Sequence, residues 1–142
     1  MSRIINPETG RKERDRLCKF IVKALRELKH KQEIDRESLD LIAFLIFALE
    51  QIYKTIDQSV GAWEKRGYWL KADRYRRDWE WTIGTSKNLE NALNSEDWMG
   101  VAQISVLIAQ KLNHIKLAPG NRLGTPWVGV WEKYKSKASI DQ

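Results

Sequence analysis

One apolar series runs through residues 39–63 without a break and restricts the folds open to this chain. Its members are separated alternately by three and four residues: Leu39, Ile42, Ile46, Leu49, Tyr53, Ile56, Val60 and Trp63. Residues three and four apart share one face of an α-helix, so the series predicts one long helix with a continuous packing face. Its first half is apolar nearly all round, because it also carries Leu41, Phe44, Leu45 and Phe47. We therefore expect a central helix, capped by Asp35, that other helices cover on several sides.

A helix is also predicted before this central one. Pro7 suits the first helical position, where its missing N–H is not needed, and Asn6 before it is a suitable N-cap. Gly10 leaves a later start open. The apolar face of this helix comprises Leu17, Phe20, Ile21, Ala24, Leu25 and Leu28.

Two further helices are predicted after Gly67. Gly67 could kink the chain or start a new helix, and the apolar pattern that follows it extends toward Asn94. The outward and inward faces described below take residues 66–83 as one continuous helix. The second has Asn94 or Ser95 as its N-cap, and its apolar positions run from Trp98 to Ile115. Because no segment reads as a β-strand, the sequence predicts an all-α fold, an antiparallel bundle of about four helices.

The character of the chain changes after residue 117. We assign residues 1–117 to a helical bundle domain and residues 118–142 to a Gly/Pro-containing loop followed by a short C-terminal helical tail. Thr125 and Pro126 would start that helix, which would carry Trp127, Trp131 and Tyr134 on one side. Two interpretations remain open at this point: the tail covers the bundle, or its aromatic residues bind a partner.

Composition excludes several classes of protein. No apolar run approaches the roughly 18 residues that span a bilayer, and the N-terminal residues lack the apolar centre of a signal peptide. We expect a cytoplasmic protein that does not bind a membrane. The single Cys18 cannot form an internal disulfide, and Cys18, His30 and His114 are too scattered in sequence for a zinc site. Neither a metal nor another cofactor is expected.

No catalytic signature is present either. The sequence contains no glycine-rich phosphate loop, paired-histidine motif or nucleophile elbow. Carboxylates occur in two groups: Asp78 with Glu80, and the cluster Glu33, Asp35, Glu37 and Asp40. We interpret both groups as solvated charges, and the cluster also serves the start of the central helix. We therefore expect no enzyme and no small-molecule substrate.

Positive charge is concentrated at the N-terminal end. The net charge is +6, and residues 1–31 hold ten Lys/Arg against four Asp/Glu. At about 100° per residue, one narrow sector of the first helix holds Lys12, Arg16, Lys19, Lys23 and Arg26, and His30 continues the row. The row extends over about 21 Å, a length that can follow several phosphates. It is either a phosphate-binding surface or an ordinary solvated face.

A second basic surface is predicted within residues 63–82, which hold four tryptophans, two tyrosines and six Lys/Arg. On a continuous helix Tyr68, Ala72, Tyr75 and Trp79 would point inward. The residues that would point outward together are Arg66, Arg74, Arg77 and Trp81. Trp81 could then stack on an unpaired base while the arginines hold phosphate. Alternatively, Trp81 packs under the tail or against another subunit.

This profile of a small, basic, all-helical chain without catalytic groups resembles the small subunits of CRISPR effector complexes, which serve antiviral defence. The resemblance rests on size, charge and helix content. It implies a subunit that stacks along a guide-bearing filament and contacts RNA or displaced single-stranded DNA, with catalysis left to other subunits. The sequence thus favours a non-catalytic accessory subunit of a nucleic-acid or ribonucleoprotein complex. The alternative is a protein-interaction or homo-oligomeric scaffold that binds no nucleic acid.

Overall fold

The computed structural model describes residues 7–140, with side chains described for residues 10–137. Between residues 7 and 140 the chain forms helices joined by turns and loops, with no β-strand. The helices are α1 (Pro7–Lys29), α2 (Arg36–Lys65), α3 (Trp69–Trp79), α4 (Trp81–Asn94), α5 (Trp98–Lys111) and α6 (Val130–Ile140). The all-α class is confirmed, whereas the predicted count of about four helices is not.

The first helix packs closely against the second. α1 begins at Pro7 as predicted, and its expected N-cap Asn6 lies outside the described residues. Gly10 does not delay the start of α1. A β-carbon at Gly10 would lie 3.3 Å from the Ser59 hydroxyl oxygen and 3.7 Å from the Thr55 carbonyl oxygen. The absence of a side chain therefore lets the N-terminal half of α1 approach the second half of α2.

The central helix is confirmed. Asp35 caps α2 by accepting a hydrogen bond from the backbone N–H of Ser38 at 2.8 Å. The 30 residues of α2 extend over about 45 Å. The helix contacts α1, α3, α4 and α6. Its fully buried residues include Ile42, Ile46, Leu49, Ile52 and Ile56.

The continuous helix predicted over residues 66–83 is wrong, because the chain turns at Gly67 and breaks again at Glu80. Gly67 has a φ of +82°, which favours glycine. The N–H of Gly67 donates to the Glu64 carbonyl at 3.0 Å, and that of Tyr68 to the Trp63 carbonyl at 2.9 Å. This pair of bonds ends α2 in a Schellman motif. α3 then returns along the second half of α2 and α4 along its first half.

The turn between α4 and α5 also differs from the prediction. Neither Asn94 nor Ser95 is the N-cap of α5; the cap is Asp97, whose carboxylate accepts the Gly100 N–H at 2.9 Å. α4 ends with the same bond pattern as α2, and Glu96, at φ +55°, takes the left-handed position. Because this helix ending extends through Glu96, the N-cap of α5 is Asp97, two residues after Ser95.

Two apolar clusters support the fold. The larger contains residues of α1, α2, α4, α5 and the C-terminal segment. The smaller lies beneath α3 and joins Ile56, Val60 and Ala72, with Trp63, Tyr75 and Trp79 packed against it. Trp63 and Tyr75 meet edge to face with centroids 4.9 Å apart. The smaller cluster holds the α2–α3 turn in a defined position.

The C-terminal segment packs on α2, and a buried carboxylate anchors it. Asp40 accepts hydrogen bonds from the backbone N–H groups of Gly129 at 3.2 Å and Trp131 at 2.8 Å. These groups lie at the start of α6, which begins at Val130 rather than near Pro126. The interpretation of Asp40 as a solvated charge is therefore wrong. Its side chain is buried and accepts hydrogen bonds from backbone N–H groups at the start of α6, which have no partner within that helix.

Candidate nucleic-acid interface

The basic row of α1 lies on the surface as predicted. Four members, Lys12, Arg16, Lys19 and Arg26, are exposed, and so is His30, which follows the end of the helix. Among the described residues, none of the four Lys and Arg side chains forms a salt bridge with a carboxylate. Their charge is therefore available to an external anion.

Lys23 differs from the rest of the row. Its ammonium donates a hydrogen bond to the Gly124 carbonyl at 2.6 Å and lies 6.0 Å from the centroid of the Trp127 ring. The side chain is half-buried and fastens the loop before α6 to α1. Lys23 therefore contributes to tail attachment and is less available to phosphate than its neighbours.

The inward face of α1 carries a cation that the sequence interpretation missed. Arg14 is only 4% exposed. Its guanidinium donates to the hydroxyls of Thr55, at 3.4 Å, and Tyr75, and lies 5.1 Å from the Tyr75 ring centroid and 5.9 Å from that of Trp79. Within residues 10–137 no carboxylate pairs with it. The spacing to Cys18 and Ile21, four and seven residues on, was the available indication that Arg14 faces inward.

The arginines near α3 do not form the predicted group. Arg66 belongs to the end of α2, because the helix does not continue through Gly67. Arg77 is paired with Asp73 one turn earlier. Arg74 is exposed and, among the described residues, has no carboxylate partner. Arg66 and the α3 arginines therefore do not lie on one helix face.

Trp81 is not an outward-facing stacking residue. It is partly buried, packs against the larger apolar cluster and stacks on Trp79, with centroids 6.5 Å apart and an interplanar angle of 22°. Lys111 of α5 lies 5.9 Å from its ring centroid. The prediction depended on one helix through residues 66–83, whereas Trp81 begins α4, and there its ring packs against the larger cluster. Of the two alternatives, the structure favours an intramolecular contact.

The aromatic residues of the C-terminal segment are also internal. Trp127 and Tyr134 are buried, and Trp131 packs partly buried against the same cluster. Tyr134 donates a hydrogen bond to the Asn94 side chain at 2.8 Å and stacks on Trp131. Burial raises the pKa of the Tyr134 hydroxyl. The assignment of these residues to a partner is not supported, because they cover the protein's own core.

Three exposed apolar residues that the sequence did not predict as binding residues lie at the α2–α3 turn. Tyr68, Trp69 and Leu70 are 57%, 63% and 84% exposed. Tyr68 had been placed on the inward face of a continuous helix. The indication in the sequence was Gly67, since a left-handed glycine resets the helical phase of the residues that follow.

Cys18 is buried in the larger apolar cluster. Burial raises the pKa of the Cys18 thiol to about 11, so it is protonated at neutral pH and is not a nucleophilic thiolate. Within residues 10–137 no three His, Cys, Asp or Glu side chains come together as metal ligands.

Comparison with known proteins identifies no relative: no protein-family model, curated protein or solved structure matches this chain. None of the helices within residues 7–140 has the length and hydropathy needed to cross a bilayer.

Proposed function

We propose that this protein is a non-catalytic helical subunit of a nucleic-acid or ribonucleoprotein complex and binds phosphate backbone through the basic face of α1. The observation that carries the proposal is the row of exposed cations without carboxylate partners among the described residues, Lys12, Arg16, Lys19 and Arg26. The proposal includes a cytoplasmic location and membership among the small subunits of CRISPR effector complexes, which the chain resembles in size, charge and helix content.

Charge density supports a polyanion as the ligand. The row holds four exposed cations within about 21 Å, whereas double-stranded DNA carries one charge per ~1.7 Å of its axis. Each phosphate that a cation neutralises releases counterions, so the logarithm of the affinity falls with the logarithm of the salt concentration. A row of this size implies moderate, salt-sensitive binding within a larger assembly.

The test is a charge reversal with a matched control. The variant carries Lys12→Glu, Arg16→Glu and Lys19→Glu, and the control carries Lys54→Glu, Lys87→Glu and Lys133→Glu, exposed residues of α2, α4 and α6. Both lose the same charge, so net charge alone affects them equally. Fluorescence anisotropy with labelled RNA, single-stranded DNA and duplex DNA should show loss of binding in the first variant and a smaller loss in the control.

Two further readouts accompany the binding measurement. The salt slope should fall by about 2 where residual binding of the first variant is measurable. Its melting temperature should stay near that of the wild type, because the three side chains are exposed. Equal weakening by both variants would reduce the interaction to net charge and remove α1 from the proposal.

A protein-interaction role is the second candidate, and the outer face of α5 favours it. Residues 98–110 contain no charged side chain, and Met99, Val106 and Leu107 are 74%, 57% and 54% exposed. Apolar residues grouped on one exposed helix face are typical of contact surfaces. Light scattering without nucleic acid should report an oligomer if a second copy covers this face, and Val106→Glu with Leu107→Glu should then give a monomer. A monomeric wild type would exclude the homo-oligomeric version.

A further inference from the structure

We infer that the α2–α3 turn is a stacking site for unpaired bases, with Trp69 as the principal contact and Tyr68 beside it. The inference rests on the proposed function and names its ligand class: single-stranded rather than duplex nucleic acid. Three properties of the turn support the inference. Its aromatic rings are exposed, the cations beside them have no carboxylate partner among the described residues, and its backbone is held rigidly.

Tyr68 and Trp69 are exposed, and within residues 10–137 neither ring stacks on another aromatic ring. More than half of each of the Tyr68 and Trp69 side chains is exposed, in contrast to Trp81, Trp127 and Trp131, which pack against the core. Aromatic rings accept bases by stacking whatever the sequence, because every base has a π-face. Paired bases in a duplex are already stacked, so the surface selects single strands.

The cations beside the rings are available for phosphate. The nearest acidic residues, Glu64 and Asp73, are already paired with Arg76 and Arg77. Among the described residues, no carboxylate pairs with Lys65, Arg66 or Arg74, all exposed. The turn therefore has a positive local charge that complements a nucleic-acid backbone.

The turn is held in place before any ligand arrives. The two hydrogen bonds that end α2 fix the backbone at Gly67 and Tyr68. Beneath it, Trp63 packs edge to face on Tyr75, and the Lys71 ammonium lies 4.6 Å from the Trp63 ring centroid. A rigid platform loses little conformational entropy when a base stacks on it, which favours binding.

Substitutions at Trp69 test the inference in the full-length chain. Trp69→Leu keeps an apolar side chain but removes the aromatic ring, Trp69→Phe keeps a ring, and Val128→Ala is the control at an exposed apolar residue before α6. The probes are labelled single-stranded RNA and DNA of about 20 nucleotides and a duplex of equal length, longer than typical site sizes of single-strand modules. Vesicles of phosphatidylcholine with phosphatidylserine form a further arm.

Stacking predicts that Trp69→Leu weakens single-strand binding about tenfold, leaves duplex binding and the salt slope unchanged, and reduces the quenching of tryptophan emission. Trp69→Phe should retain most of the affinity, and Val128→Ala all of it. Full single-strand affinity in Trp69→Leu, or equal losses on single strand and duplex, would overturn the stacking site while the α1 proposal stands. No salt-dependent binding of any nucleic acid by the wild type, with or without vesicle binding, would overturn both.

Discussion

α1 carries two kinds of cation that belong to the same residue types and lie within a few residues of one another. Arg14 faces the core, where hydroxyls and aromatic rings surround its guanidinium. Lys12 and Arg16, on either side in sequence, face solvent. Arg14 is part of the structure that joins α1, α2 and α3, whereas Lys12 and Arg16 are exposed and have no carboxylate partner among the described residues. Residue type alone therefore does not identify a binding cation; the element that packs against it does.

The start of α2 shows the same contrast with acids. Asp35 is exposed, caps its own helix and forms a salt bridge with Lys31 at 2.9 Å. Asp40, five residues later, is buried and serves the start of α6. One carboxylate has a local role that the sequence reveals, and the other has a role that depends on a segment about 90 residues away.

Among the inward and outward positions, substitution of Arg14 is expected to change the stability of the protein most. Arg14→Ala should lower the free energy of unfolding by about 3 kcal/mol, because it leaves a cavity between Tyr75 and Trp79 and removes a donor from the Tyr75 hydroxyl. Denaturant titration followed by circular dichroism measures this.

Two companions sharpen the test. Lys19→Ala, on the outward face, should change the same quantity by less than about 0.5 kcal/mol. Arg14→Met, which keeps much of the volume and removes a desolvated charge, should cost less than Arg14→Ala. Equal stability of the Arg14→Ala and Lys19→Ala proteins would contradict the distinction between the two faces.

Asp40 is expected to give the next largest effect. Asp40→Ala should lower the free energy of unfolding by about 2 kcal/mol, since it leaves the N–H groups of Gly129 and Trp131 without their acceptor. Relative to the wild type, amide hydrogen exchange in the Asp40→Ala protein should accelerate more in α6 than in α2. Glu37→Ala, an exposed neighbour, is the control. Unchanged exchange in α6 would argue against Asp40 as the anchor of the C-terminal segment.

The smallest expected effect is the pH dependence of stability contributed by the exposed carboxylate, Asp35. A hydrogen bond from Lys31, together with those from Ser38, lowers the pKa of Asp35 from 3.8 to about 2. A carboxyl group whose pKa is lower in the folded state stabilises the protein above its ordinary pKa and loses that contribution as the pH falls through the lowered value. Stability should therefore decline slightly between about pH 4 and pH 2.

Melting curves of the wild type and Asp35→Asn in this range provide the measurement. The amide can still accept the Ser38 N–H but does not titrate, so the variant should lack this part of the decline. The difference in melting temperature should be constant above about pH 4 and shrink toward pH 2. A difference independent of pH would assign the stability to the cap and not to the ion pair with Lys31.

Sequence reasoning succeeded where the determining contacts are local. The all-α class, the extent of α2, the start of α1 at Pro7, the Asp35 cap and the outward α1 row all follow from helical periodicity and capping preferences. It failed at Trp81 and Tyr68, because both predictions assumed an uninterrupted helix through Gly67 and Glu80. A single break changes the phase of every later residue, and so exchanges inward and outward positions.

What the sequence by itself determined is therefore the helical class, the central helix and the faces of α1, since each depends on residues within a few turns of one another. The tertiary structure decided what covers the polar and aromatic side chains, with Arg14 beneath α3, Asp40 beneath α6, Trp81 against the core and Trp69 outside it. Burial depends on how distant helices pack, and packing is set by the sum of contacts over the whole chain, which no local pattern contains.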